Sequence, residues 1–137
     1  EILKRGQKKS RDSLETEVIL DAEQLLSMRA EVSGVFVHER IYRYIAELAK
    51  ATRENEWTEL GISPRGTVAL TAMAKACAWM KGRAYVIPSD VQEVFPCVAV
   101  HRIFLNMKAK VGHIRVDELI RQVLENVPVP ALRGKRS

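Results

Sequence analysis

Apolar residues recur along this chain at helical spacing, and sustained period-two runs are missing. The first capped segment is Leu20-Asp21-Ala22-Glu23-Gln24-Leu25. Asp21 with Gln24 three positions on forms a capping box, and Leu20 with Leu25 forms a hydrophobic staple, so a helix is predicted to about Ala30. Ser33-Gly34 marks a break. Over residues 38–54, Ile41, Tyr44, Ile45, Leu48 and Thr52 make one apolar stripe, with Glu39 and Arg43 paired on the wet side. A loop with Asn55, Trp57 and Gly61 follows. Ser63 then caps a third helix, with Pro64 in its first turn, where a missing N–H costs nothing. From Val68 to Met80 only Thr71 and Lys75 are strongly polar, so this Ala-rich helix is expected to be surrounded. Gly82 ends it. Pro88 before Ser89-x-x-Gln92 predicts a helix start at Ser89, and Pro96 predicts its break after two turns. A further turn or two is expected between Cys97 and Asn106. The last helix is predicted from Asp117 to Asn126, opened by two acids and stopped by Pro128 and Pro130.

The pattern defines an all-α fold: a compact bundle of five or six helices around a buried Ala-rich central helix. Residues 20–127 form the domain, residues 1–19 read as a linker, and residues 128–137 as a Pro-containing basic tail. No fixed-period repeat is present.

The length of 137 residues fits about one domain of roughly 100–200 residues. An apolar fraction of 47% is enough for a core. Charges interrupt every apolar stretch well before the ~18 residues of a membrane span. The chain opens on Glu1 without a signal segment, and is expected to be a soluble fragment of a larger protein.

The formal net charge of +5 is unevenly placed. Residues 1–11 carry net +4 and residues 128–137 net +3, while the stretch between carries net −2. The basicity therefore belongs to the ends, which argues against a basic docking face for nucleic acid. Cys77 and Cys97 are expected to be buried reduced thiols, and His38, His101 and His113 share no metal-ligand spacing. No metal site is expected.

One residue breaks a rule. Helix N-termini carry partial positive charge and favour acids, yet the third helix opens Pro64-Arg65-Gly66-Thr67. An arginine beside unpaired backbone N–H groups makes an anion site, and a planar guanidinium suits phosphate. The same arginine could instead pair with Glu59 or extend into water. Local physics leaves these readings open.

Gly61-Ile62-Ser63-Pro64-Arg65-Gly66 before an Ala/Leu-rich helix, Gly82-Arg83-Ala84-Tyr85-Val86-Ile87-Pro88-Ser89-Asp90-Val91, and Val100-His101-Arg102 together resemble the C-terminal lid domain of MoxR-type AAA+ ATPases. Ala51-Thr52-Arg53 and the stretch from Ile120 to Pro130 resemble the same family. The likeness covers residues 20–130. Departures are Ile62 and Gly66 where the family favours Ala, Ala84 where Asp is common, and Ile87 where Thr is common. None touches the arginine.

The resemblance implies a preceding core domain that binds ATP and Mg²⁺ and hydrolyses ATP in a chaperone-like, ring-forming cytoplasmic protein acting on a client. It implies that Arg65 is the sensor-2 residue reaching toward the γ-phosphate. Ser63, Pro64 and Gly66 would support it, and Tyr44 and Ile45 would lie on the adenine side. The expected partners are the chain's own core domain, neighbouring subunits and the client, with no membrane and no nucleic acid. Because this stretch has no Gly-x-x-x-x-Gly-Lys-[Ser/Thr], it is not expected to hydrolyse ATP alone. Arg83 reads as structural, pairing with helix carbonyls or an acid. His101-Arg102 reads as a packing or domain contact, since no nucleophile accompanies the histidine. Trp57 and Trp79 read as packing anchors. The competing readings are a small helical nucleic-acid-binding module and a protein-interaction domain.

Overall fold

A computed structural model describes residues 17–131. The first sixteen residues of the expected linker and the last six of the basic tail lie outside the described residues. Among the described residues there are six α-helices and one short strand pair: α1 (Ala22–Ser33), α2 (Glu39–Glu54), β1 (Thr58–Leu60), α3 (Pro64–Met80), α4 (Pro88–Ala99), β2 (Phe104–Leu105), α5 (Met107–Val111) and α6 (Val116–Asn126).

The capping chemistry read from the chain forms as expected at α1. Gln24 N–H donates to the Asp21 carboxylate at 2.7 Å, and Asp21 N–H donates to Gln24 Oε1 at 2.9 Å. The helix runs one turn past Ala30, to Ser33. Leu20 and Leu25 both stay about half exposed, so a staple there buries little. None of α1 is buried, whereas α2 turns Ile41, Tyr44, Ile45, Leu48, Ala49 and Thr52 inward as one stripe. That stripe meets Leu70, Ala74 and Ala78 of α3, Val91 and Phe95 of α4, and Leu119 and Val123 of α6 in one core.

Helix α3 corrects the expectation of a surrounded helix. Gly66, Leu70, Ala74, Cys77 and Ala78 are buried, but Val68 and Met80 are largely exposed and Met73 about half so. Its apolar composition serves two faces, one inside this core and one open. Helix α4 corrects two further expectations. Pro88 occupies its first turn, so Asp90 rather than Gln92 is the third residue in, and it accepts Ile87 N–H at 2.9 Å. Ser89 is not the cap. Nor does Pro96 break the helix, which continues to Ala99. Pro96 lies on the exposed side of α4, while Phe95, Val98 and Ala99 beside it are buried. Core burial outweighs one lost hydrogen bond.

The stretch from Cys97 to Asn106 is therefore the end of α4, a turn and β2, not a separate helix. β1 and β2 pair antiparallel, with Thr58 opposite Leu105 and Leu60 opposite Phe104. A bridge between Phe36 and Tyr85 (Phe36 N–H to Ala84 O, 2.8 Å; Val86 N–H to Phe36 O, 2.9 Å) ties the α1–α2 connection to the α3–α4 connection. No described helix is long and apolar enough to cross a membrane.

Candidate functional site

The turn that carries Arg65 is held by the end of α2. Thr52, on the buried stripe, donates its hydroxyl to Ala49 O at 2.7 Å and accepts Ile62 N–H at 2.9 Å. Its neighbour Arg53 donates to Ile62 O at 2.7 Å. Both backbone groups of Ile62 are thus bound to one helix end, and the Ile62 side chain is fully buried. Gly61 lets this happen. A Cβ there would lie 2.6 Å from Arg53 N and 2.7 Å from the Thr52 carbonyl carbon, both immovable backbone atoms. Gly61→Ala is expected to lower stability by ~1–3 kcal/mol, the range of overpacking, in denaturant titration. An unchanged midpoint would show that the contact is slack.

Ser63 then starts α3. Its hydroxyl accepts Gly66 N–H at 3.3 Å and its carbonyl accepts Thr67 N–H at 3.1 Å. Pro64 has no N–H, so the only first-turn donor without a described partner is Arg65 N–H. The expected nest of unpaired amides is therefore nearly closed by its own cap. Arg65 is exposed and makes no hydrogen bond or ion pair among the described residues. Pairing with Glu59 does not form. The cation thus stands against the helix dipole with no partner among the described residues, on a turn held at Ile62 by the end of α2.

Gly66 is buried at the back of this turn. A Cβ on it would lie 2.6 Å from Ile62 Cγ2 and 3.1 Å from Arg102 Cδ. The departure from Ala at this position is thus matched by the larger Ile62. Beside the turn, a groove of about 540 Å³ opens between the end of α1, α2 and the outer face of α3, bordered by Tyr42, Ile45, Val68, Ala72 and Lys75. Tyr44 and Ile45 do not face it together. Ile45 borders the groove, whereas Tyr44 points into the core, its hydroxyl accepting from Gln92 Nε2 at 3.2 Å, and burial pushes its pKa up.

The remaining motif residues are structural. Arg83 grips the fully buried Asp90 with both terminal nitrogens, one at 2.7 Å, and also donates to Tyr85 O at 3.1 Å. Burial raises the Asp90 pKa, but Arg83, the Ile87 N–H and nearby Lys81 outweigh it and hold the carboxyl below its ordinary value. Trp79 anchors α1 through Glu31 at 2.9 Å, and Trp57 packs against the core. Cys77 is buried, and burial pushes its thiol pKa up, but Cys97 is exposed, contrary to expectation, because Pro96-Cys97 sits on the outer side of an unbroken α4. No cluster of three metal-ligating side chains is assembled among the described residues.

Arg65 stands out in the sequence by its conflict with the helix dipole. Thr52 falls on the α2 stripe and, with Arg53, in the Ala51-Thr52-Arg53 motif, but nothing local in the sequence ties the two to Ile62, which they hold in the fold.

The AAA lid domain family matches residues 50–123, and the chain belongs to that family. It is 35% identical over 128 residues to the uncharacterized protein YeaC of Bacillus subtilis, covering 93% of this chain and 40% of that protein. It is 34% identical over 125 residues to the chaperone MoxR1 of Mycobacterium tuberculosis, covering 85% of this chain and 33% of that one. A crystal structure from Cytophaga hutchinsonii, provisionally assigned as an ATPase, superposes with a TM-score of 0.80 at 29% identity, over 95% of this chain and 43% of the other. The domain is a MoxR-type AAA+ lid. The chain spans two fifths or less of the length of these two curated relatives.

Proposed function

We propose that this lid closes over ATP bound to a core domain in the same protein, and that Arg65 reports the γ-phosphate. The reading rests on one observation: Arg65 is exposed, with no side-chain partner among the described residues, on a turn whose preceding residues Gly61-Ile62 are packed and bonded against α2. In it, residues 20–127 are the lid, residues 1–19 lead from the core, and residues 128–137 are a tail. Ser63 and Pro64 set the start of α3, and Gly66 lets the turn pack. The groove bordered by Ile45 is the adenine side, while Tyr44 stays in the core, bonded by Gln92.

The core domain supplies the phosphate cradle and the Mg²⁺ site. Arg65 fits the nucleotide's terminal phosphate because its guanidinium donors are uncommitted and the cap already uses the amides around it. ATP keeps the phosphate that ADP lacks, so the contact differs between the two states and shifts lid closure; equal affinity for both would shift nothing. Hydrolysis is thereby coupled to lid motion in a cytoplasmic, ring-forming, chaperone-like ATPase that acts on a client. The test is the preference for ATP over ADP in the full-length protein with and without Arg65.

The charge distribution adds a second expectation. Any binding of this chain to random duplex DNA comes from its ends, so it should be weak, fall steeply with salt, and vanish on deleting residues 1–11 and 131–137. Tight, salt-resistant binding by the trimmed chain, read by fluorescence anisotropy, would favour the nucleic-acid module instead.

A further inference from the structure

Arg102 belongs to the Val100-His101-Arg102 motif and has no part in the function proposed above. Its side chain leaves the turn after α4 and lies across the start of α3. Nη1 donates to Val98 O at 2.9 Å, in the last turn of α4, where a cation suits the carbonyl end of the helix. The stem of the same side chain passes so close to Gly66 that a Cβ there would meet Cδ at 3.1 Å and Nε at 3.6 Å. Gly66 is the residue next to Arg65, and its N–H is the one held by Ser63. The turn bearing Arg65 is therefore bracketed. Arg53 and Thr52 of α2 hold it on the upstream side at Ile62, and Arg102 closes it on the downstream side at Gly66.

We infer that Arg102 is a positioning residue: it fixes the first turn of α3 against the end of α4 and so sets where the Arg65 guanidinium points. This rests on the reading of Arg65 as the γ-phosphate sensor. The physical basis is that a long side chain gripping phosphate acts productively only when its backbone origin is held within a fraction of an ångström. Without the stem over Gly66, the turn gains room on one side, because glycine offers no Cβ to fill it. Arg65 then samples more orientations, and the difference between ATP and ADP shrinks while the fold, anchored elsewhere, persists.

The experiment is a double-mutant cycle in the full-length protein, reading the ratio of ADP to ATP dissociation constants for wild type, Arg102→Ala, Arg65→Ala and the double variant. Arg102→Ala is expected to lower the preference for ATP by about 3- to 10-fold when Arg65 is present and to change nothing further when it is absent, as residues acting through one contact do. Arg102→Lys, which keeps the stem and a donor, is expected to retain most of the preference. Melting controls identify any variant that fails to fold, and the lysine variant then carries the test. An Arg102→Ala protein with full preference, where Arg65→Ala loses it, overturns the inference alone. An equal loss with and without Arg65 also overturns it, since Arg102 would then act independently of Arg65. A lysine variant as impaired as the alanine one, with normal melting, overturns it too. If Arg65→Ala itself leaves the preference intact, the reading of Arg65 fails first.

Discussion

ATP hydrolysis by the full-length protein is expected to fall ~10- to 1000-fold on replacing Arg65 by alanine, the range set by losing ~1.4–4 kcal/mol of charge stabilisation at the transferring phosphate. The size follows from the chemistry of the contact. With no partner among the described residues, the Arg65 guanidinium would give up no existing ion pair on engaging phosphate, so the proposed contact would be made only with nucleotide in place. Folding should not follow activity downward. Arg65 is exposed and opposes the dipole of α3, so its removal should leave the melting temperature unchanged or slightly raised. Steady-state turnover and a melting curve on the same variant check both. Loss of turnover with a lower melting temperature would mean that the arginine props the helix instead.

Asp90→Ala should do the reverse, lowering the domain's stability without altering the nucleotide preference of the folded protein. The carboxylate is fully buried and receives both terminal nitrogens of Arg83 and the Ile87 N–H. Removing it strands a partly buried guanidinium and uncaps α4, a loss of about 3 kcal/mol. For a domain of this size that is a melting-temperature drop of roughly 10 °C. The pH dependence has a definite sign. Asp90 keeps its charge below the ordinary carboxylate pKa when folded, so its contribution is complete above that value and lost as pH falls through the folded pKa. Denaturation followed from neutral into acidic solution should therefore show a steeper acid decline in the wild type than in Asp90→Ala. Parallel declines would show that the buried pair is not what acid disrupts.

Most helices were legible because their caps and stripes are local. The Asp21–Gln24 box, the Ser63-Pro64 start of α3 and the α6 stripe each lie within a few residues, where spacing alone specifies partners. The open face of α3 was not legible. An alanine-rich helix that is apolar all round gives the same pattern whether its own domain surrounds it or another body meets its outer side. Pro96 misled for a related reason: local propensity breaks a helix there, but burial of Phe95, Val98 and Ala99 carries α4 through. The β1–β2 pair, three residues against two, is too short to leave a periodic signal. At the site, Arg65 stood out because it violated a rule of helix ends. Its supports did not, since Thr52, Arg53 and Arg102 reach the turn by contacts that only the folded chain brings together.

The central claim is that this lid distinguishes ATP from ADP through Arg65. The direct measurement is equilibrium binding of both nucleotides to the full-length protein and to its Arg65→Ala variant, under conditions that prevent hydrolysis. The account predicts tighter binding of ATP than ADP in the wild type, and an Arg65→Ala protein that binds ADP as before while most of the added affinity for ATP is gone. Equal ATP-over-ADP preference in the two proteins would contradict it, and would make Arg65 a surface arginine on an otherwise intact lid.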